Sequence, residues 1–397
     1  MVLLAVGIVC LLIAGVLALK ARKALRDNWL CLERRVGDPR VAVLIPARDE
    51  SAVIEGLLGS LAEQTYVVRP QDVYVIVESE TDPTVEICKK YGCTVFVRRK
   101  LELQRKGYAL DEVVKEILPK KHYDLYFIFD ADNRLAPNYI EEMLKIYRTG
   151  YQMATGYRHA KNGNANVIAA VSALTFSMIN TLGNKARMGH GANIIFSGTG
   201  CYVCGELVET WQGWPFHSLT EDYEMSLYAT LNHISTFYNE AAVFYDEQPT
   251  RYTQTVDQRT RWIKGYFSAR KEYVPKMRRR ESANNDGSVL KERIGVWPVI
   301  FALIGVILIL AEGLIWLVAG QKFGLAIGVI AGLLVAIYII LALITVVMIK
   351  REKMKFRRGV KVRAILFNPL YLLTYVYCAL KAAATKNVEW KRIEHGK

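Results

Sequence analysis

The chain is 397 residues long, 52% hydrophobic, and carries a formal net charge of +14. Two soluble domains would suit that length, but the apolar residues are too clustered along the chain for an all-soluble protein. Of its seven cysteines, two (Cys10 and Cys378) lie in apolar runs, and a domain facing the reducing cytosol offers the others no disulfide framework.

Residues 2–19 (VLLAVGIVCLLIAGVLAL) hold no charge and come close to the roughly 20 residues that cross a bilayer. Lys20, Arg22, Lys23 and Arg26 follow at once. A cleaved signal peptide has the reverse order, with basic residues first and a small-residue cleavage site after the apolar core. Residues 1–20 therefore read as a retained anchor with its C-terminal end in the cytosol.

Residues 27–290 read as one soluble domain in which short apolar runs alternate with helical patterns. VAVLIP (41–46) precedes a helix near Glu50–Glu63, and VYVIV (73–77) precedes one near Pro83–Tyr91. CTVFVRR (93–99) leads to the amphipathic GYALDEVVKEIL (107–118), and YDLYFIF (123–129) to a helix near Asn138–Tyr147. Such strands between such helices predict an α/β fold with a mostly parallel sheet covered on both faces. Ligands of these sheets bind beyond the carboxyl ends of the strands. Asp130 and Asp132 stand at such an end, in FIFDADNRLAP (127–137). Two acids on one face of an extended chain repel each other unless a cation sits between them. A hard divalent ion on one or two carboxylates takes phosphate oxygens as further ligands. A hard divalent cation and a phosphate-bearing substrate are the expectation, with Lys106 as a nearby cation. A lone D-x-D often merely caps the next helix; its place after a buried strand favours a site.

Val167–Leu182 (VIAAVSALTFSMINTL) is apolar and then meets Lys185 and Arg187. It reads as too short and too polar to cross comfortably, hence as a core helix or as an amphipathic helix on the inner membrane face. Cys201 and Cys204 form a lone CxxC in a strand-like stretch, read as small packed residues, and the six histidines show no ligand spacing. Arg278–Asp286 (RRRESANND) reads as a solvated loop. Val296–Ala319 and Phe323–Ile349, joined by Gly320-Gln321-Lys322, predict a membrane hairpin over 296–349. Within it Glu312 is an intramembrane acid, of a kind usually functional or paired. The basic cluster Lys350–Lys361 returns the chain to the cytosol. In 364–397, Ala364–Leu380 is broken by Asn368-Pro369 and flanked by basic residues, so an interfacial or re-entrant helix, with a basic tail, is favoured over a clean crossing.

Five stretches occur in one order: VLIPARDE (43–50), KGYAL (106–110), DAD (130–132), SLTEDYEMSL (218–227) and QRTRW (258–262). Over roughly residues 40–270 they resemble the membrane-anchored family 2 inverting glycosyltransferases, which include cellulose, chitin and hyaluronan synthases. The resemblance implies a GT-A-type nucleotide-sugar-binding domain joined to transmembrane helices. It also implies that Asp130 and Asp132 bind the donor diphosphate through Mg2+ or Mn2+ and that Asp222 of the TED motif is the catalytic base. Gln258 and Arg261 would close over the diphosphate, and Trp262, with Glu221, would meet the acceptor sugar. Pro46, Ala47 and Glu50 would hold the nucleobase and ribose, and Lys106 would lie near the phosphates. One departure is Glu78, in VESETD (77–82), where the family usually has an aspartate; its longer arm alters the geometry offered to a uracil or ribose.

Inverting glycosyl transfer needs a carboxylate to take the proton of the attacking hydroxyl. Its nucleoside diphosphate leaving group needs a metal and fixed cations. Asp222 meets the first need; Asp130, Asp132, Arg261 and Lys106 meet the second. The plainer reading of TED is a helix cap, with Thr220 capping and the acids at the positive end of the dipole, and that of Trp262 is core packing. The expected protein is an integral membrane glycosyltransferase with a cytosolic catalytic domain, moving a sugar from a UDP-linked donor to a growing polysaccharide with inversion. Single-sugar transfer to a lipid acceptor and a catalytically silent nucleotide-binding scaffold are the rivals. Membrane lipids are expected partners, nucleic acid is not, and a homodimer is a candidate for completing a glycan channel.

Overall fold

The computed structural model describes residues 2–24, 37–284, 297–320 and 323–385. Arg26, Gln321, Lys322, the last two residues of RRRESANND and the basic tail from 386 lie outside the described residues.

Helix α1 (Val2–Ala24) precedes the α/β domain. The first half of that domain follows the predicted alternation: β1 (Val41–Pro46), α2 (Ile54–Ala62), β2 (Val73–Val77), α3 (Thr84–Lys90), β3 (Thr94–Val97), α4 (Lys106–Ile117), β4 (Leu125–Ile128), then the short β5 (Arg134–Leu135) and α5 (Tyr139–Arg148). β1, β2 and β4 are buried along almost their whole length, as strands covered on both faces must be. The second half departs from simple alternation. It runs β6 (Met153–Ala160), α6 (Val167–Met178), a π-helical turn (Ile179–Lys185), α7 (Ala186–Gly189), β7 (Cys201–Cys204), α8 (Gly205–Trp211), α9 (Glu221–Leu231) and β8 (Thr236–Asp246).

The eight strands form one sheet in the order β3-β2-β1-β4-β7-β6-β8-β5. β3, β2, β1 and β4 are mutually parallel, β7 is antiparallel to both β4 and β6, and β6 and β8 run parallel. The sheet is thus mixed and mostly parallel. A register shift at Gly156/Tyr157 interrupts the β6–β8 ladder; a bulge of this kind re-aims the side chains beyond it. Cys201 and Cys204 are buried in β7, and the described cysteines are free thiols. They pack, as the plainer reading held.

Beyond the sheet, α10 (Tyr252–Asn284) runs 33 residues through Pro275. Arg278–Asn284 belongs to it, which corrects the loop expected there. Its basic end is tied down where Arg280 donates to the Leu231 carbonyl at the end of α9. Then come α11 (Trp297–Val318), α12 (Phe323–Arg351) and α13 (Arg358–Ala384).

α1 and α11 lie antiparallel in close contact. A Cβ on Gly7 would fall 2.9 Å from the Gly305 carbonyl, and one on Gly305 would fall 2.8 Å from the Gly7 carbonyl. Only glycine lets two helix backbones approach so closely. Glu312 is buried and accepts a hydrogen bond from the Leu3 amide (3.2 Å), so this acid is paired, capping one of the orphan N–H groups of α1.

Among the described residues, three helical stretches are long and apolar enough to cross a membrane: Val167–Gly189, Phe323–Arg351 and Arg358–Ala384. They differ in surroundings. None of the apolar window in α12 is buried, whereas 61% of that in Val167–Gly189 is. The sequence expectation that Val167–Leu182 is too short is corrected, because the helical path continues through Lys185 and Arg187. Lys185 bonds Glu240 (2.6 Å) and Arg187 bonds the Asn193 carbonyl (2.8 Å), so the charges are satisfied within the protein. Ala170, Val171 and Leu174 pack with Met348, Ile349, Val360, Ala364 and Tyr371 in one cluster. The core-helix reading holds, and α6 is the seam between the α/β domain and helices α12 and α13.

The break expected at Asn368-Pro369 is absent: α13 is helical across it. The Asn368 amide donates to Thr345 Oγ1 on α12 (2.8 Å), anchoring the helix where proline removes a backbone donor. Val362, Leu366, Leu370, Leu373, Tyr377 and Leu380 leave an exposed apolar stripe at helical spacing on its outer side.

Candidate active site

β4 ends at Ile128, and the chain turns sharply over Asp130–Asn133. The turn is fixed from beneath: the Asp130 amide donates to Thr199 Oγ1 (2.9 Å) and Asn133 Oδ1 (3.2 Å), and the buried Asn133 amide reaches Asp132 Oδ1 (3.2 Å). The backbone is thereby held while the two carboxylates stay half-buried and accessible.

Lys106 opens α4 and forms an ion pair with Asp130, while its ammonium also donates to the Gly198 carbonyl (2.7 Å). Burial works against its charge, but Asp130 and Glu221 more than offset this and leave its pKa raised. Gly198 belongs to the turn FSGTG (196–200). Its φ of +81° is one that side-chain-bearing residues rarely adopt, and a Cβ there would lie 3.3 Å from Asp222 Oδ2 and 3.8 Å from Glu221 Oε1. One glycine thus leaves room for the TED carboxylates while its carbonyl holds the lysine that holds the D-x-D.

Glu221 and Asp222 form the first turn of α9. The Tyr223 amide donates to Asp222 Oδ1 (2.8 Å), directing the carboxylate, and Ser226 Oγ donates to the Asp222 backbone carbonyl (2.8 Å). Thr220 occupies the cap position, but its hydroxyl is buried without a hydrogen-bond partner among the described residues. Capping therefore does not explain TED. Burial pushes Asp222 above the usual carboxylate range; burial and repulsion by Asp222 push Glu221 up to about 7. A carboxylate raised toward neutrality is suited to general-base work.

α10 brings in Gln258, Arg261 and Trp262. Gly265, one turn on, packs so closely that a Cβ would sit 2.3 Å from Thr220 Oγ1, seating α10 on the start of α9. Arg261 approaches the Leu219 carbonyl (3.4 Å) and faces the TED acids. Trp262 meets Phe176 of α6 edge to face, with ring centroids 5.6 Å apart, and Gln258 is half-buried on the same helix. Core packing thus accounts for one edge of Trp262, in a residue that remains half-exposed.

The nucleobase candidates lie past the ends of β1 and β2. Pro46 ends β1, the Ala47 amide donates to the Ile76 carbonyl (2.8 Å), and the Glu50 amide donates to Thr84 Oγ1 (3.2 Å). Glu78 is held between Arg48 (3.0 Å) and the buried Arg98 (3.5 Å). The structure thus sets two groups of sequence candidates at the strand ends: Lys106, Asp130, Asp132, Glu221, Asp222 and Arg261 around the 196–200 turn, and Pro46, Ala47, Glu50 and Glu78 farther along the same edge.

Sequence reasoning missed Arg158 and Asp246, a buried ion pair closed by a 2.8 Å bond from Nε to Oδ2. Both sit in strand-like runs, and a charged residue inside such a run was the available signal, since fully buried charges are rare unless paired. It also missed Asn133, Thr199 and the 196–200 turn, whose two glycines in five residues marked a special backbone.

Among the described residues no point gathers three or more His, Cys, Asp or Glu in metal-binding array. The acids that fit a metal are the two half-buried carboxylates of Asp130 and Asp132, one already drawing a cation. That set suits Mg2+ or Mn2+, which take one or two carboxylates and leave the rest of the shell to water and phosphate.

The model of the glycosyltransferase-like family 2 matches residues 39–265, spanning every element just described from β1 to Gly265. The chain belongs to this family. Its α/β domain is a family 2 glycosyltransferase domain. The hyaluronan synthase of Streptococcus pyogenes is 24% identical over 299 residues, covering 70% of this chain and 66% of that protein. The beta-monoglucosyldiacylglycerol synthase of Nostoc is 22% identical over 244 residues, covering 59% and 50%. The chain thus spans between about half and two thirds of the length of these relatives. A mannosyltransferase from Pyrobaculum calidifontis, solved with GDP-Man and Mn2+, superposes with a TM-score of 0.61 at 16% identity, covering 95% of this chain and 99% of that one. This likeness establishes a GT-A fold in the family 2 chain.

Proposed function

We propose that this family 2 glycosyltransferase is an integral membrane enzyme that moves a sugar from a UDP-linked donor onto a growing polysaccharide, with inversion. One observation carries the reading. The 196–200 turn leaves room for Asp222 at Gly198, which carries no side chain, and, through the Gly198 carbonyl and Lys106, holds Asp130. A proton acceptor and a diphosphate site are thereby arranged around one turn.

In the reaction, Asp222 takes the proton of an acceptor hydroxyl as its oxygen attacks the anomeric carbon from the face opposite the diphosphate. The new C–O bond forms as the bond to the phosphate oxygen breaks, and the electron pair leaves with the nucleoside diphosphate. Lys106 and Arg261 meet that developing charge. Bound at Asp130 and Asp132, Mg2+ or Mn2+ would supply charge neutralisation to the diphosphate. Trp262 offers its free face to the acceptor sugar, with Glu221 and Gln258 beside it. Pro46, Ala47 and Glu50 line the nucleoside. Glu78, held between Arg48 and the buried Arg98, sets a carboxylate past the end of β2 that can accept from a nucleobase N–H, in keeping with the uridine donor the resemblance implies.

Basic residues after α1 and between α12 and α13 favour a cytosolic catalytic domain. A second reading, single-sugar transfer to a lipid acceptor, draws on the exposed apolar stripe of α13, packed against the helix that carries Trp262, and on the lipid-glycosylating relative. The test incubates purified protein with a panel of radiolabelled nucleotide sugars, with and without EDTA, and sizes the product. A ladder of many sugars from a UDP-sugar, abolished by EDTA and restored by Mg2+ or Mn2+, is expected. One sugar on a lipid would promote the second reading, and full turnover in EDTA would remove the metal from the scheme.

A further inference from the structure

We infer that Arg158, through Ser197 and Phe176, is the positioning residue that keeps the catalytic base and the acceptor platform in register; this rests on the functional reading above. Arg158 lies on β6 just past the bulge at Gly156/Tyr157, where the strand's side chains are re-aimed. Its guanidinium is used on every side. Nε and Nη2 both donate to Asp246 Oδ2 at the end of β8, the former at 2.8 Å. Nη1 donates to the Ser197 carbonyl (3.1 Å). One flat face lies over the Phe176 ring, 3.8 Å from its centroid.

These contacts lead to opposite halves of the site. Ser197 precedes Gly198, whose lack of a side chain leaves room for Asp222 and whose carbonyl holds Lys106. Phe176, buried in α6, meets the edge of Trp262. A purely structural ion pair would need only Asp246, and such a pair is replaceable by apolar side chains at little cost. A planar fork that bonds one turn while its face seats an aromatic ring is a task for arginine specifically, since lysine's ammonium has neither the rigid fork nor the flat face. Asn180 fixes the strand at this point by donating to the Arg158 carbonyl (2.8 Å).

The experiment compares Arg158→Lys, Phe176→Leu and the double variant with wild type, reading donor hydrolysis to water, transfer to acceptor and thermal stability. Lysine keeps the charge opposite Asp246. The expected result is that Arg158→Lys lowers transfer about tenfold or more relative to hydrolysis, since small misplacements of reacting groups are costly, with the KM for donor little changed. Phe176→Leu should reproduce the part of this loss that runs through Trp262, and the double variant should be no worse than Arg158→Lys, because the lysine already severs that arm. An unchanged transfer-to-hydrolysis ratio in Arg158→Lys, or additive losses in the double variant, would overturn the inference. Should wild type consume no nucleotide sugar, it is the functional reading that fails. The positioning role is then read from hydrogen exchange: amides 197–199 and 262 should exchange faster in Arg158→Lys while those of β1 and β4 do not, and unchanged exchange would refute it.

Discussion

Asp222 and Glu221 are adjacent acids at one buried helix start, and the chemistry of the site turns on which of them holds a proton. Asp222→Asn keeps the shape and removes the acceptor of the proton. We expect transfer to fall about a thousandfold while UDP binding, measured by calorimetry, stays near wild type; near-normal turnover would refute Asp222 as base. Glu221 is held at about 7 by burial and by its neighbour, so the pair sheds its last proton near neutrality. The rate should rise with pH through about 7, and Glu221→Gln should move that acid limb down by about one pH unit or more by removing the repulsion. The stability sign follows. Glu221 titrates higher in the folded state than its ordinary 4.5, so its contribution is fully present below about 4.5 and is lost as pH rises through about 7. Urea midpoints for wild type and Glu221→Gln across this window check it. An unmoved acid limb would place its control elsewhere.

At the scale of elements, α10 joins the candidate site to the apolar helix α13. Its Arg259, between Gln258 and Arg261, is almost wholly buried and faces away from the site. It donates to the Tyr371 carbonyl (3.2 Å) and Thr374 Oγ1 (2.6 Å), with the Tyr371 and Tyr375 rings 4.1 and 4.9 Å away. Lys264 bonds the last carbonyls of α13, at Ala382 and Thr385, and Lys381 of α13 pairs with Asp257. Lysines at a helix C-terminus meet the unpaired carbonyls and the negative end of the dipole. The alternate faces of α10 around QRTRW therefore serve two partners, with Arg259 and Lys264 on α13 and Arg261 and Trp262 on the site. Arg259→Leu should destabilise the protein by about 2–4 kcal/mol, because it strands the polar groups it now satisfies. Thermal unfolding in detergent measures this, and an unchanged midpoint would mean the clamp is dispensable.

For the whole molecule, the α/β domain and the apolar helices meet along one seam built by α6, α10, α12 and α13. The turn between α12 and α13 is also docked on the loop after β6. Asn164 donates to the Lys355 carbonyl (2.9 Å) and accepts from the Arg357 amide (2.7 Å). Since Lys161 of the same loop donates to the Asp132 carbonyl (2.9 Å), the helical hairpin and the D-x-D share a support. With this turn beside the catalytic domain, both should face the cytosol and Gly320 the opposite side. Single cysteines introduced at Lys353 and at Gly320, in a cysteine-free background, should be labelled by an impermeant reagent from the inner and outer face respectively. The reverse pattern would invert the topology and remove the donor-accessible orientation.

The acids at the end of β4, the TED and QRTRW stretches, the parallel half of the sheet and the apolar hairpin were legible because each is a short-range signal, a period or a spacing within one element. Arg158, Asp246 and the Ser197–Gly198 turn were not, because their meaning lies in contacts between segments tens of residues apart. The loop forecast at Arg278–Asp286 failed for the same reason. Charge and polarity there favoured solvent, but packing against α9 keeps the residues up to Asn284 helical. The break forecast at Asn368-Pro369 failed because Thr345 on another helix secures Asn368. The sequence by itself thus determined which residues could do chemistry and which stretches avoid water. The tertiary structure decided which cation meets which acid and which face of α10 points at the site. Strand order, the reversed direction of β7 and the bulge in β6 set those distances, and no local pattern encodes them.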